Sequence, residues 1–322
     1  MIVANNLEIL HKLLPPHPVR IALGNFDGVH LGHRKLLGQL VAKCKANAES
    51  SVVVTFSPHP AQFFGRNKDF RKIDTPAVQQ TIFRDLGVDA TLELAFNEQL
   101  ASLTGDEFVD SFLKILPVRE ILVGEDFRFG KARASGLDTL QANGKSRGFD
   151  VTVVKTVETD GAAVSSSRLR ALIAQDGDML LVNKYLARPF CLQGVVTDGR
   201  KIGRTLGFPT ANLSHLTQVI PKTGVYAGWL SSAENLSDGR IVATDLPCVV
   251  NVGVRPTFGS DSTLAVEAHV YGPNGNNLNL YHQTVFLKFI RRIRAERRFE
   301  SADDLKQQIL KDIEAAQEAL AH

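Results

Sequence analysis

The chain has 322 residues, 44% of them hydrophobic and 22% charged, with a formal net charge of +3 at neutral pH. This length suggests two domains, the composition excludes a disordered or fibrous chain, and the charge is too small to argue for a nucleic-acid partner. Cys44, Cys191 and Cys248 have neither metal spacing nor a disulfide pattern, the start MIVANNLEILHKLLPP has no signal-peptide layout, and no run is apolar enough to span a bilayer, so a cytoplasmic protein with no membrane partner is expected.

The first half alternates short apolar runs with helical patterns. Strands are expected at Ile21–Gly24, Ser51–Phe56, Glu120–Val123 and Val151–Lys155, and helices at Arg34–Ala46, Thr75–Leu86 and Gly105–Ile115. Apolar runs separated by helices indicate an α/β, Rossmann-like parallel sheet covered on both faces. Ligands bind beyond the carboxyl ends of such strands. Three unusual polar segments follow predicted strands and so share one edge.

The first of these, Gly24–His33, reads GNFDGVHLGH. Asp27-Gly28 suits a tight turn. His30 and His33 flank Gly32 where a helix begins, and imidazoles, glycine backbone and helix N–H groups together suit a phosphate chain. An accidental histidine pair at a helix start has the same spacing. The second segment is Thr55-Phe56-Ser57-Pro58-His59-Pro60, where two prolines fix a rigid loop and an exposed, idle His59 is one reading. The third, VGEDFRFG at Val123–Gly130, carries Phe127 and Phe129 either as core residues or as a wall for a planar ring. Further on, Ser165, Ser166 and Ser167 read as helix caps, or together with Arg168 and Arg170 as a grip on a triphosphate tail.

The texture changes near Tyr185–Pro189, which sets expected domains of 1–186 and 187–322. Strands are expected at Phe190–Thr197, Gly224–Leu230, Leu246–Val252, Leu264–Tyr271 and Gln283–Ile290, a density that suggests a small antiparallel β-barrel. The segment Gly199–Asn212 is either a flexible basic loop or a shaped phosphate cradle built around Gly203, Gly207 and Pro209. Thr210 and Asn212 offer neutral oxygens suited to Mg²⁺ shared with ATP. In Val266–Val270, Glu267 and His269 share one strand face, which is ordinary solvated surface or the place of a general base. Five arginines, Arg291, Arg292, Arg294, Arg297 and Arg298, read as a solvated strand-to-helix corner rather than a nucleic-acid patch. A terminal α-helix follows, capped by Ser301 with Asp304 at its third position and an apolar stripe through Leu305, Ile309, Ile313, Ala316 and Leu320.

Taken together and in order, GNFDGVHLGH, TFSPHP, VGEDFRFG and VSSSRLR resemble the adenylyltransferase half of prokaryotic bifunctional riboflavin kinase/FAD synthetases. GRTLGFPTANL, GVYAGW, NVGVRPTFG and VEAHV resemble the kinase half, so the likeness spans nearly the whole chain. The resemblance implies phosphorylation of riboflavin to FMN, then adenylylation of FMN by a second ATP to give FAD and pyrophosphate. It implies one ATP site at Gly24, Phe26, Asp27, Gly28, His30, Gly32, His33, Ser165, Ser166 and Arg170, with His30 and His33 catalytic and flavin beside Asp126, Phe127 and Phe129. In the kinase half it implies ATP at Gly203, Arg204, Gly207, Pro209, Thr210 and Asn212, Mg²⁺ on Thr210 and Asn212, and Glu267 as the catalytic base. The chain departs from the family at Ser167, Leu169 and Ala132, and in the loop after Val270, where Pro273-Asn274-Gly275 replaces an aspartate-rich stretch. Two other readings share these residues: a nucleotidylyltransferase for another acceptor, and a flavin-binding regulator with one inert site. Self-association is left open.

Overall fold

The computed structural model describes residues 1–65, 69–198, 207–232, 245–256, 262–272 and 280–321. It divides into two compact units, one of residues 1–72 and 76–165, the other of 73–75 and 166–322.

In chain order the first unit holds β1 (Ile2–Ala4), α1 (Leu7–Leu13), β2 (Val19–Leu23), α2 (Leu31–Asn47), β3 (Ser50–Ser57), α3 (Pro60–Phe63), α4 (Pro76–Asp85) and β4 (Ala90–Ala95). It continues with α5 (Glu98–Ser102), α6 (Gly105–Leu113), β5 (Val118–Gly124), α7 (Leu137–Arg147), β6 (Asp150–Val154) and a small hairpin, β7 (Glu158–Thr159) and β8 (Ala162–Ala163). The six long strands form one sheet in the order β1-β4-β3-β2-β5-β6, parallel throughout. Ile21, Ala22, Val52, Val53, Val54 and Leu122 are fully buried, as strands covered on both faces require. Successive strands run outward from β2 to one side, through β3 and β4, before β5 starts the other side. The strand order therefore reverses between β2 and β5, the place where open α/β sheets bind ligands. The expected strands are all present, with ends displaced by a residue or two.

The opposite edge of this sheet is fastened by charge. Arg20 bonds Glu49 and Glu120, and Glu120 also accepts from Lys43 and Thr152. Burial pushes the Glu120 carboxyl up, but its bonds to Lys43, Thr152 and Arg20 outweigh that and hold it low.

The second unit opens with α8 (Ser166–Ala171), a π-helical turn at Leu172–Asp176 and α9 (Met179–Leu186). Six strands follow: β9 (Phe190–Thr197), β10 (Ala211–Ser214), β11 (Gly224–Ser232), β12 (Leu246–Pro256), β13 (Ser262–Val270) and β14 (Thr284–Arg294). They close into an antiparallel barrel in the order β10-β13-β12-β11-β14-β9. Cys248, Val250 and Val252 of β12 fill its interior. The alternate residue Val249 packs outward with Val225 and Ala227 against Ile313, Ala316 and Leu320 of the terminal helix α10 (Ala302–Leu320). The Asp304 N–H donates to Ser301 Oγ at 3.1 Å, so the expected cap is formed.

The arginine segment is the expected strand-to-helix corner, with Arg291, Arg297 and Arg298 exposed, although β14 runs on to Arg294. Two of its cations are spent locally: Arg294 pairs with Asp312 through both carboxylate oxygens at 2.8 Å, and Arg292 donates to Thr223 O. The reading of the Pro58–Pro60 loop is corrected. His59 is buried, accepts from Ala61 N at the start of α3 and stacks on Phe70 at 4.5 Å.

Residues 73–75 belong to the barrel unit through polar contacts. Arg188 Nη2 lies 2.6 Å from both oxygens of the fully buried Asp74, and Gln218 Nε2 donates to the carbonyls of Ile73 and Cys191. Removing one member of a buried pair strands the other charge. Asp74→Ala should therefore destabilise this unit by about 3–5 kcal/mol, read as a lower urea midpoint. An unchanged midpoint would show that Arg188 finds other compensation.

Candidate active sites

The first site is the turn between β2 and α2. Its backbone leaves ordinary territory three times: Phe26 at φ +48°, Gly28 at +86° and Val29 at +38°. Left-handed conformations at Phe and Val cost of order 1–3 kcal/mol each and persist only where surroundings impose them. Here the imposing groups are visible. Gln79 Nε2 of α4 donates to the carbonyls of Asn25 (3.0 Å) and Phe26 (2.9 Å), and Thr55 Oγ1 donates to Asn25 O. The Phe26 ring is buried edge-on against Phe83 and His33, and a Cβ on Gly24 would press on it at 3.2 Å.

His30 is the residue before α2 and makes no side-chain capping bond. The dipole and unpaired N–H groups at such a helix start attract an anion. His30 and His33 stack with ring centroids 3.7 Å apart, and a Cβ on Gly32 would stand 3.2 Å from the His30 ring. Both Nδ1 atoms are buried without a hydrogen-bond partner. Burial lowers the His30 imidazole to about 4. Burial, with His30 as neighbour, holds His33 well below its ordinary value. Both rings are neutral at pH 7 and can each donate one N–H.

These depressed values make folding pH-dependent. As pH falls through 6.5 the unfolded chain protonates its histidines while folded His30 does not until about 4. The unfolded state binds more protons in that window, so stability falls as the pH is lowered from 6.5 towards 4. Urea midpoints should show this slope, and His30→Gln should flatten it. An equal slope in the variant would place the titration elsewhere.

The expected flavin residues follow β5, beside the same strand reversal. Asp126 is exposed and Phe127 half-buried. Phe129 belongs to the sheet core, 7% exposed and stacked on Phe127 at 5.4 Å. Ser165 closes the first unit, whereas Ser166 and Arg170 stand on α8 in the second.

The second site lies on the outer face of the barrel. Asn251 of β12, Glu267 of β13, Asn212 of β10 and Thr197 of β9 are successive cross-strand partners, so they form one polar row. The row shares the face that α10 covers at Val249, because Asn251 follows Val249 at the two-residue strand period. Glu267 is half-buried and Asn212 is 8% exposed. Thr210 and Pro209 lead into β10 directly beside this row. Gly203 and Arg204 lie outside the described residues, as do the basic loop to Leu206 and residues 273–279.

The FAD synthetase family model matches residues 15–168 and the riboflavin kinase family model residues 186–320. The bifunctional riboflavin kinase/FMN adenylyltransferase of Pseudomonas fluorescens is 40% identical over 310 residues, covering 95% of each chain. That of Escherichia coli K12 is 36% identical over 312 residues, covering 96% of each. The chain belongs to the bifunctional riboflavin kinase/FMN adenylyltransferase family. Two family matches in one chain favour the paired activities over a transferase for another acceptor. The crystal structure of a macrolide-efflux protein from Streptococcus pneumoniae is similar over 98% of this chain and 99% of that one, at 27% identity and TM-score 0.84. Among the described residues no helix is long and apolar enough to cross a membrane.

Within the family frame, the structure gathers Gly24, Phe26, Asp27, Gly28, His30, Gly32 and His33 into one strained turn, and Asn212 and Glu267 into one row. Sequence reasoning missed Gln79, Thr55 and Asn251. Gln79 had a signal: it is a polar residue within the buried stripe Val78, Gln79, Ile82, Phe83 of α4. Such a residue needs a buried partner. Here the partners are the carbonyls of the strained turn.

Proposed function

We propose that the two sites of this chain each perform one of the family's two reactions. The chain phosphorylates riboflavin with ATP to give FMN, then adenylylates FMN with a second ATP to give FAD and pyrophosphate. The observation that carries the division is that each matched family segment contains its own polar site, the turn at Gly24–His33 in one and the Asn212–Glu267 row in the other.

At the barrel row, Glu267 accepts the proton of the riboflavin primary hydroxyl as its oxygen attacks the γ-phosphorus of ATP. Phosphoryl transfer asks mainly for positioning and charge neutralisation, with a carboxylate to take that proton. Gly207, Pro209, Thr210 and Asn212 hold the nucleotide phosphates, joined from the basic segment by Gly203 and Arg204. Among the described residues no His, Cys, Asp and Glu cluster forms a metal cage. Thr210 and Asn212 instead offer hard oxygens, with Asn212 in register with Glu267. That set fits Mg²⁺, which keeps waters and phosphate oxygens among its ligands and takes few from protein. When bound there it neutralises phosphate charge.

At the turn, the FMN phosphate attacks the α-phosphorus of ATP and pyrophosphate leaves. A phosphate monoester is largely ionised at neutral pH, so no base is required. The neutral imidazoles of His30 and His33 and the start of α2 stabilise the charge that builds on the phosphates. Gly24, Phe26, Asp27, Gly28 and Gly32 shape that pocket with Ser165 of the same unit, and Asp126, Phe127 and Phe129 lie along the flavin. Phe129 serves from behind, as the buried ring on which Phe127 stacks. The reactions belong in the cytoplasm, a reading supported by three free, buried cysteines.

Incubating the purified protein with riboflavin, ATP and Mg²⁺ should yield FMN first and FAD after it by chromatography. Riboflavin bound without turnover would contradict the assignment.

A further inference from the structure

We propose that His269 is a positioning residue of the kinase site, whose ring N–H holds the Pro209 carbonyl and so sets the segment Thr210–Asn212 against Glu267. The proposal rests on the reading of Thr210 and Asn212 as the nucleotide cradle. His269 is 8% exposed, on the same strand and the same face as Glu267, two residues further on. Its Nδ1 lies 2.8 Å from Pro209 O, and its ring meets that of Phe208 edge-on at 5.4 Å.

The chemistry of this contact fixes its direction. A carbonyl oxygen only accepts, so Nδ1 carries the proton. Proline has no N–H, so its carbonyl is the single hydrogen-bonding group of its backbone. His269 therefore takes the one polar handle that Pro209 offers. Strand β10 begins only at Ala211, so the ladder does not hold Pro209 and Thr210. The anchor comes from β13, which also carries Glu267. Base and cradle are thus spaced by one rigid strand rather than by a free loop. Burial lowers the His269 pKa and the Pro209 bond offsets only part of that, so the ring is neutral at pH 7 and has one proton to place.

Kinase kinetics at saturating riboflavin test this. His269→Phe keeps a ring against Phe208 and removes the donor. It should raise KM for ATP about five- to tenfold, the scale of one buried hydrogen bond, with kcat changed by less than about twofold. His269→Asn places an amide nitrogen near the position of Nδ1 and should return KM to within about twofold of the parent. FMN-to-FAD conversion should be unchanged in both. An unaltered ATP KM in the Phe variant, or an Asn variant as impaired as Phe, overturns the proposal. If the Phe variant does not fold, His269→Gln replaces it, since its amide sits near Nε2 and misses Pro209. Equal ATP KM values for Asn and Gln then overturn the proposal, and a raised value for Gln alone supports it. Thr210→Val separates the two layers of the argument. If it leaves ATP KM unchanged, the cradle itself is misassigned; if it raises KM while His269→Phe does not, only the anchor fails.

Discussion

Replacing His30 and His33 together by alanine should lower FMN adenylylation by at least about a hundredfold, and leave riboflavin phosphorylation within about twofold of the parent. The magnitude follows from the cost of removing even one preorganised donor from a site of developing charge. Two features support the proposed reading of this pair as a site. Their Nδ1 atoms are buried without partners, a cost that a purely structural pair would avoid. They also stand at a helix start left without a side-chain cap, behind a turn forced into left-handed backbone at Phe26 and Val29. The double substitution opens space beside Phe26, so the activity should be read at a temperature where circular dichroism shows the variant folded. Equal loss of both activities in a folded variant would mean that the turn serves more than one reaction.

Glu267→Gln should produce the mirror image. The amide keeps the size of the side chain and its place opposite Asn212 and Asn251, but cannot accept the hydroxyl proton. Kinase activity should fall by roughly a hundred- to ten-thousandfold, the range of a general base, while FMN is still converted to FAD. The KM for ATP should move little, because the proposed cradle at Thr210 and Asn212 is left intact. A variant that phosphorylates riboflavin at the parent rate would return Glu267 to ordinary strand surface.

Much of this was legible in the chain because the signals were local. A buried apolar run ending at Leu23, a glycine-rich turn and a helical pattern after it predict strand, phosphate loop and helix without tertiary information. Pairing is not local, and the failures lie there. Strand β10 is four residues with Leu213 as its single buried hydrophobic contact to the interior. It exists because β9 and β13 flank it, and in sequence it reads as loop. Strand β4 has a weak local signal, because Glu93 breaks its apolar run, although its first three residues are buried. Arg291, Arg297 and Arg298 are solvated as the sequence suggests, but the pairing of Arg294 with Asp312, eighteen positions later, is not legible there. His59 reads as a loop histidine because the Phe70 ring it stacks on lies eleven positions away, although its cap to Ala61 N is local. Asn251 carries no signal of its own; only the register of β12 on β13 places it beside Glu267.

The central claim is that two separate sites act in sequence, and mixing the two disabled variants tests it most directly. Glu267→Gln alone, given riboflavin and ATP, should make neither FMN nor FAD. The His30→Ala, His33→Ala variant alone should stop at FMN. Combined in one tube, they should convert riboflavin to FAD, with FMN rising first and then falling. A mixture that accumulates FMN and never forms FAD, from two proteins shown to be folded, would contradict the division of labour.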